Sequence, residues 1–273
     1  MTRPCRSALF LPASNPRAIE KARGLACDAV ILDLEDAVAP EAKADARAAA
    51  VAACRAGFGA RRTVLRINAL DTPWGADDLA AAFDLPVDAV LVPKVRDGAE
   101  AQHYAGALAG PALWVMIETA RALSQLQPIA DAVGAGGALV VGTNDLALEL
   151  RCAGRAALAP VLPLVVAAGR AAGALVLDGV RNDFSDLEAF AAEAREGAAL
   201  GFDGKTLIHP AQIDPSNAAF SPSAEAVARA RSVVAAFALP ENAGRGAIRL
   251  DGRMVERLHL AEAERVLALA GLA

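Results

Sequence analysis

The sequence predicts an α/β fold of the TIM (β/α)8 barrel class with a C-terminal lid or subunit-contact segment, and three observations carry the prediction. Strand-like and helix-like stretches alternate from end to end in about eight units, the arithmetic of a closed parallel barrel rather than an open sheet. The strands are short, continuous Val, Ile and Leu runs, as expected where both faces are buried. Five of them end in polar groups: residues 29–35 (AVILDLE), 63–68 (TVLRIN), 89–94 (AVLVPK), 113–118 (LWVMIE) and 138–142 (ALVVG), the last followed by Thr143, Asn144 and Asp145. A barrel gathers the C-terminal ends of its strands at one mouth, so these groups are expected to meet.

The elements follow in order. Ser7–Pro12 is the first strand, and Ser14-Asn15-Pro16 opens a helix with proline at its favoured first position. Residues 29–35 precede a helix over 40–55, and residues 63–68 lead through Thr72-Pro73-Trp74-Gly75 to a helix over 77–83. The fourth to sixth crossovers are predicted at 98–108, 120–133 and 146–150, the last continuing into the apolar stretch 158–172. Leu175–Asp178 precedes a helix over 186–200, and residues 204–209 precede Ala224–Ala238 as the eighth helix. Residues 1–246 are assigned to the barrel. The remainder, 247–273, is expected to begin with the strand Ala247–Leu250, turn at Asp251-Gly252 and continue as a helix from about Val255, forming a lid of the same domain.

At 273 residues the chain is close to the size of one such barrel, roughly 250 residues. Its 55% apolar content argues against disorder, and its Ala-rich helices suit close packing. With a net charge of −5 and no Lys/Arg run longer than two, the chain lacks the footprint of a nucleic-acid binder. The N-terminal stretch reads as a strand rather than a signal peptide. The most apolar segment, 156–168, is too short for a membrane span and holds Pro160 and Pro163, so a soluble, cytoplasmic protein is expected. Cys5, Cys27, Cys54 and Cys152 are scattered, which disfavours a zinc site or a disulfide framework.

Glu118 and Asp145 end adjacent strands, where two carboxylates with water completing an oxygen shell suit Mg2+; each could instead cap a helix. Arg66 lies in an otherwise apolar run and needs a partner, either an internal carboxylate or a ligand held by its planar fork. Asp33, Glu35 and Asp36 crowd one strand end, so at least one must pair with a cation or hold a proton. Asp36 is the candidate for positioning water or moving a proton, and Asp33 for bracing the interior. Lys94 could meet a phosphate, a carbonyl or a carboxylate partner. His209 reads as a satisfied buried imidazole, and with only His103 and His259 besides, a three-histidine metal site is excluded. No G-x-S-x-G elbow is present.

Taken together, RSALFLPASNPRAIEKA, ILDLEDAVAPEAKADAR, VLRIN, VPKV, IETA, GTNDLALEL and GFDGKTLIHPAQI resemble the citrate lyase beta-subunit-like family of CoA-ester lyases, within the HpcH/HpaI aldolase superfamily, over nearly the whole chain. The resemblance implies a Mg2+-dependent TIM barrel acting on 3-hydroxyacyl-CoA thioesters. It places the metal on Glu118 and Asp145, the substrate arginine on Arg66, the acidic cluster on Glu35 and Asp36, and further substrate contacts on Lys94, Thr143 and Asn144. GTNDLALEL, DTPWGADDL, IDPSNAAFSPS and DGRMVERLHLAEA resemble the malyl-CoA thioesterase branch, hydrolases related to malyl-CoA lyases. Many lyases of the family carry Glu where Asn144 stands and Asp where Glu256 stands; Arg181 occupies a position where Tyr is usual. The implied activity is hydrolysis of (3S)-malyl-CoA to malate and CoA. The alternatives are carbon–carbon cleavage of malyl-, beta-methylmalyl- or citramalyl-CoA, or a non-catalytic acyl-carrier-associated subunit. The C-terminal segment is expected to cover a neighbouring subunit's mouth in a homo-oligomer, a trimer or hexamer, and to lend it Glu256 as a catalytic residue.

Overall fold

Strict alternation along eight short strands separates an inner from an outer set of side chains and so creates the site. The computed structural model describes residues 4–108 and 110–271; Arg3, before the first strand, and the last two residues of the C-terminal segment lie outside these. Strands β1 (Ser7–Pro12), β2 (Ala29–Asp33), β3 (Arg62–Arg66), β4 (Ala89–Val92), β5 (Ala112–Ile117), β6 (Ala138–Val141), β7 (Leu175–Asp178) and β8 (Gly204–Leu207) form a closed barrel in chain order. All pairs are parallel, and β1 closes on β8 with Ser7 opposite Lys205. Ala29, Ile31, Val64, Leu91, Trp114 and Met116 belong to one inner apolar cluster. The intervening residues, such as Val30, Leu32, Leu65, Val90 and Val115, belong to a second cluster together with helix residues.

The period of two then carries charge into the interior at the mouth. Two residues beyond Ile31 stands Asp33, two beyond Val64 stands Arg66, and two beyond Met116 stands Glu118. The observed strands end one or two residues earlier than predicted, so Glu35, Asn68, Lys94 and Glu118 occupy the loops that follow. Backbone pairing gives way there because the amides turn to carboxylates instead: Asp33 accepts from Glu35 N–H and Glu118 from Lys94 N–H, each at 2.8 Å.

Three helix expectations are corrected. The stretch 120–133 divides into Ala120–Leu123 and Leu126–Val133, and the stretch before β7 into Gly154–Leu158 and Leu162–Ala172, with proline in the first turn of the latter. The helix after β8 is the short Ile213–Ala219, not Ala224–Ala238. The first compact unit ends at Phe220 and the second begins at Ser221, well before the expected 246/247 boundary. In the second unit, Ala230 and Val233 of Ala224–Ala238 pack with Ile248, Val255, Ala263 and Leu267. Helical periodicity reveals that a face is buried without saying against what. This unit continues with an antiparallel hairpin, β9 (Ala247–Leu250) and β10 (Arg253–Glu256), turned by Asp251 and Gly252, both at positive φ. The final helix, Arg257–Leu269, starts after Val255 because Val255 is paired with Ile248. No helix among the described residues is long and apolar enough to cross a membrane.

Barrel closure supplies a direct test. A Cβ on Gly204 would overlap the Cys5 carbonyl oxygen and crowd Arg6 Cα, both backbone atoms of the chain leading into β1. Gly204→Ala should therefore lower unfolding free energy by about 3 kcal/mol or more, since the β1–β8 seam must move. A denaturant midpoint equal to that of the wild type would contradict this account of the seam.

Candidate active site

Asp33 and Arg66 are register partners on β2 and β3 and face the same interior layer. Arg66 Nε and Nη2 donate to the two Asp33 carboxylate oxygens at 2.7 and 2.6 Å, and both residues are buried. Asp33 also accepts from the amides of Glu35 and Ala37, so one carboxylate fixes both the arginine and the turn after β2. The guanidinium lies over the Phe10 ring, 4.9 Å from its centroid. Burial opposes the Arg66 charge, but Asp33, Glu35 and Asp36 outweigh it and hold its pKa above the ordinary value. The internal-carboxylate partner weighed for Arg66 is thus present, and it is the Asp33 proposed as a brace. Arg66 nevertheless lines the cavity, with Nη1 outside the Asp33 fork.

Nη1 approaches Glu35 at 2.8 Å and the exposed Asp36 at 3.7 Å. The Glu35 contact is close enough for an ion pair, yet Oε2 has no properly oriented donor. Because Asp33 already neutralises Arg66, burial dominates and pushes the Glu35 carboxyl up to about 8, with Asp36 and Glu118 adding repulsion. Of the two outcomes expected for the acidic cluster, a cation partner is met by Asp33 with Arg66, while burial more than crowding favours a proton on Glu35.

Across the mouth, Glu118 is buried below the loop after β4. Its Oε1 accepts from Lys94 N–H at 2.8 Å, while Oε2 is buried without a hydrogen-bond partner. Lys94 Nζ lies 2.6 Å from Asp145 Oδ1 and 3.6 Å from Glu118 Oε1, so one ammonium spans both carboxylates. Burial, with help from Asp145, pushes Glu118 up to about 7 despite Lys94. Asp145 stands in the first turn of Thr143–Glu149, whose N-cap is Gly142. An added Cβ at Gly142 would come within 2.5 Å of Glu118 Cβ and Oε2, so only glycine leaves that carboxylate its place.

These residues surround a cavity of about 380 Å3, lined by Asp33, Asp36, Arg66, Glu118, Asn144 and Asp145 among others. Thr143 is buried and its hydroxyl donates to the Val180 carbonyl; Asn144 exchanges two side-chain hydrogen bonds with Asn182, at 2.9 and 3.2 Å. The first unit thus brings together Glu35, Asp36, Arg66, Lys94, Glu118, Thr143, Asn144 and Asp145. Glu256 belongs to the second unit, where it precedes the last helix and its amide donates to His259 Nδ1. His209 is half-buried, stacks on Phe184 and accepts from Ala211 N–H.

Several supporting residues escaped sequence reading. Lys43, expected only to suit its helix dipole, is buried and donates to the carbonyls of Leu34 and Glu35 and to Asn68 Oδ1, tying together the loops after β2 and β3. Lys205, fully buried, donates to Asp178, Glu193 and the Gly179 carbonyl. No comparable signal marked Lys205, which stands between Gly204 and Thr206, or Lys43 or Asn182.

Among the described residues no group of three or more His, Cys, Asp or Glu is arranged to hold a metal ion. Two hard oxygen donors, one with an unpartnered buried atom, still fit Mg2+, which keeps several waters and is commonly held by one or two carboxylates plus ligand oxygens.

The chain matches the HpcH/HpaI aldolase/citrate lyase family over residues 6–210. It is 44% identical over 271 residues to a (3S)-malyl-CoA thioesterase of Cereibacter sphaeroides, covering 98% of this chain and 95% of that protein. It is 34% identical over 304 aligned positions to an L-malyl-CoA/beta-methylmalyl-CoA lyase of the same organism, with the same coverages. Among solved structures, CitE from Mycobacterium tuberculosis in complex with magnesium, acetoacetate and coenzyme A superposes with a TM-score of 0.82 at 36% identity, covering 98% of each chain.

Two predictions follow from the charges. Asp33→Ala leaves Arg66 buried without its fork partner and should cost about 3–5 kcal/mol in denaturant unfolding; a loss below about 1 kcal/mol would remove the brace from the account. Between about 4.5, the ordinary value, and about 8, an unfolded Glu35 has lost its proton while the folded one keeps it. Metal-free protein should therefore lose stability as pH rises through that window, and Glu35→Gln should flatten the decline. An unchanged slope in Glu35→Gln would show that the proton resides elsewhere.

Proposed function

The chain belongs to the HpcH/HpaI aldolase/citrate lyase family, and on that premise we propose that it is a Mg2+-dependent acyl-CoA enzyme that hydrolyses (3S)-malyl-CoA to malate and CoA. The observation that carries the reading is the pair Glu118 and Asp145, spanned by one ammonium and facing the same cavity as Arg66. Hydrolysis is favoured over carbon–carbon cleavage by the 44% identity to the thioesterase against 34% to the lyase.

Glu118 and Asp145 would hold Mg2+, which when bound supplies Lewis-acid polarisation of substrate oxygens. Arg66, immobilised by Asp33, offers its remaining N–H groups to negative charge developing on the substrate. Lys94, from the loop after β4, and Thr143 and Asn144, from the first turn of the helix after β6, contact the substrate. Asp36, exposed and within 3.7 Å of Arg66, positions the attacking water and takes its proton. The carbon–sulfur bond breaks, water provides the new carboxylate oxygen, and the leaving sulfur is protonated to give free CoA. The protein is read as a cytoplasmic homo-oligomer, a trimer or hexamer, with no nucleic-acid or membrane partner and with Glu256 acting at a neighbouring subunit's mouth.

A second reading, cleavage of malyl-CoA to glyoxylate and acetyl-CoA, has the lyase relative in its favour. Incubation with malyl-CoA and Mg2+, following free thiol and glyoxylate separately, distinguishes them. Thiol without glyoxylate is expected; glyoxylate without thiol would establish the lyase, and neither product would point to an acyl-carrier-associated subunit. Glu118→Gln should abolish turnover without unfolding, and EDTA should do so reversibly. For Glu256, mixing inactive Glu256→Ala with inactive Glu118→Gln should restore activity after subunit exchange. No recovery would remove it from a neighbouring site.

A further inference from the structure

Lys94 occupies an unusual backbone position. It follows Pro93 at the end of β4 and adopts φ 55°, one of three non-glycine residues at positive φ among those described. This left-handed conformation is sterically unfavourable for an L-residue with a side chain. It aims the Lys94 amide at Glu118 Oε1, at 2.8 Å, while the side chain reaches across to Asp145. The backbone contact does not need the ammonium, so two separate functions meet in one residue: the amide fixes Glu118, and Nζ offsets part of the charge of the two carboxylates.

A lysine ammonium and a divalent cation compete for the same carboxylates. At 2.6 Å from Asp145 Oδ1 and 3.6 Å from Glu118 Oε1, Nζ stands between the two carboxylates and occupies oxygens that an ion joining them could take. The Lys94 side chain is 35% exposed and has a four-carbon stem, so it can withdraw to solvent without disturbing β4. We propose that Lys94 is a displaceable counter-cation, and that a divalent ion enters the site by exchange, driving Nζ away from Asp145 while the Lys94 amide keeps Glu118 in place. The inference rests on the reading that Glu118 and Asp145 hold the ion. It assigns Lys94 a positioning and affinity-setting part: the lysine offsets part of the charge of Glu118 and Asp145 and weakens metal binding by competition.

The test is titration of Mn2+ into the metal-free full-length protein, with free ion followed by electron paramagnetic resonance, for wild type, Lys94→Met, Lys94→Arg and Glu118→Gln. Wild type should show one site that Glu118→Gln loses. Lys94→Met keeps the amide and the chain length but lacks the charge, so it should bind Mn2+ at least about tenfold more tightly. Lys94→Arg should not gain affinity. If Lys94→Met fails to fold by circular dichroism, Lys94→Gln replaces it. Acetylation of the Lys94 amine, mapped by mass spectrometry in wild type, should accelerate when Mg2+ is present. Equal or weaker Mn2+ binding by the uncharged variants, with the wild-type site intact and lost in Glu118→Gln, would overturn the exchange while leaving the metal reading standing. A wild-type protein with no site dependent on Glu118 would overturn both.

Discussion

The buried fork between Arg66 and Asp33 is the interaction on which the rest of the mouth depends. Both groups arrive there because strand alternation and the β2–β3 register put them in one interior layer, above Ile31 and Val64. Neither charge could remain in that layer alone, because an unpaired buried ion is far costlier than the pair. Once paired, they fix everything nearby. Asp33 accepts the amides of Glu35 and Ala37 and so shapes the loop after β2, while the guanidinium is held against Phe10 with its remaining donors at the cavity. The same pairing consumes most of the positive charge that Glu35 would need to ionise, which is why burial prevails there.

Charge balance then shapes the opposite wall. Asp33, Glu35, Asp36, Glu118 and Asp145 converge on Arg66 and Lys94, and the acidic groups outnumber the cations. A proton on Glu35 relieves part of that excess. The remainder is shared by Asp36, Glu118 and Asp145, and at Glu118 one buried oxygen lacks a hydrogen-bond partner. In the proposed reading, a divalent cation and an anionic ligand would each make the other easier to bind at this mouth.

Much of this was legible in the chain. Continuous Val and Ile runs ending in Asp, Arg, Lys or Glu placed the strands within one or two residues and located the charged layer, because the constraint is local and repeats eight times. The pairing of Arg66 with Asp33 was one of two open options, and only the register decides it. Long-range partners were hidden: Lys43 sits on an Ala-rich helix, yet its ammonium ends among Leu34, Glu35 and Asn68. The conformation of Lys94 was equally invisible, since VPK alone does not signal a left-handed residue. The eighth helix was misplaced because Ala224–Ala238 has the periodicity of any amphipathic helix, and its partners, Ile248 and Val255, come later in sequence.

The central claim is that Glu118 and Asp145 together hold a divalent ion to which the acyl part of the substrate is bound. Crystals of the protein grown with Mn2+ and malate would test it through the anomalous signal of the ion. The account predicts a single strong anomalous peak in contact with both carboxylates, with malate oxygens on the same ion and the malate beside Arg66. Well-ordered malate in the mouth with no anomalous peak between Glu118 and Asp145, or a peak at other residues, would contradict it.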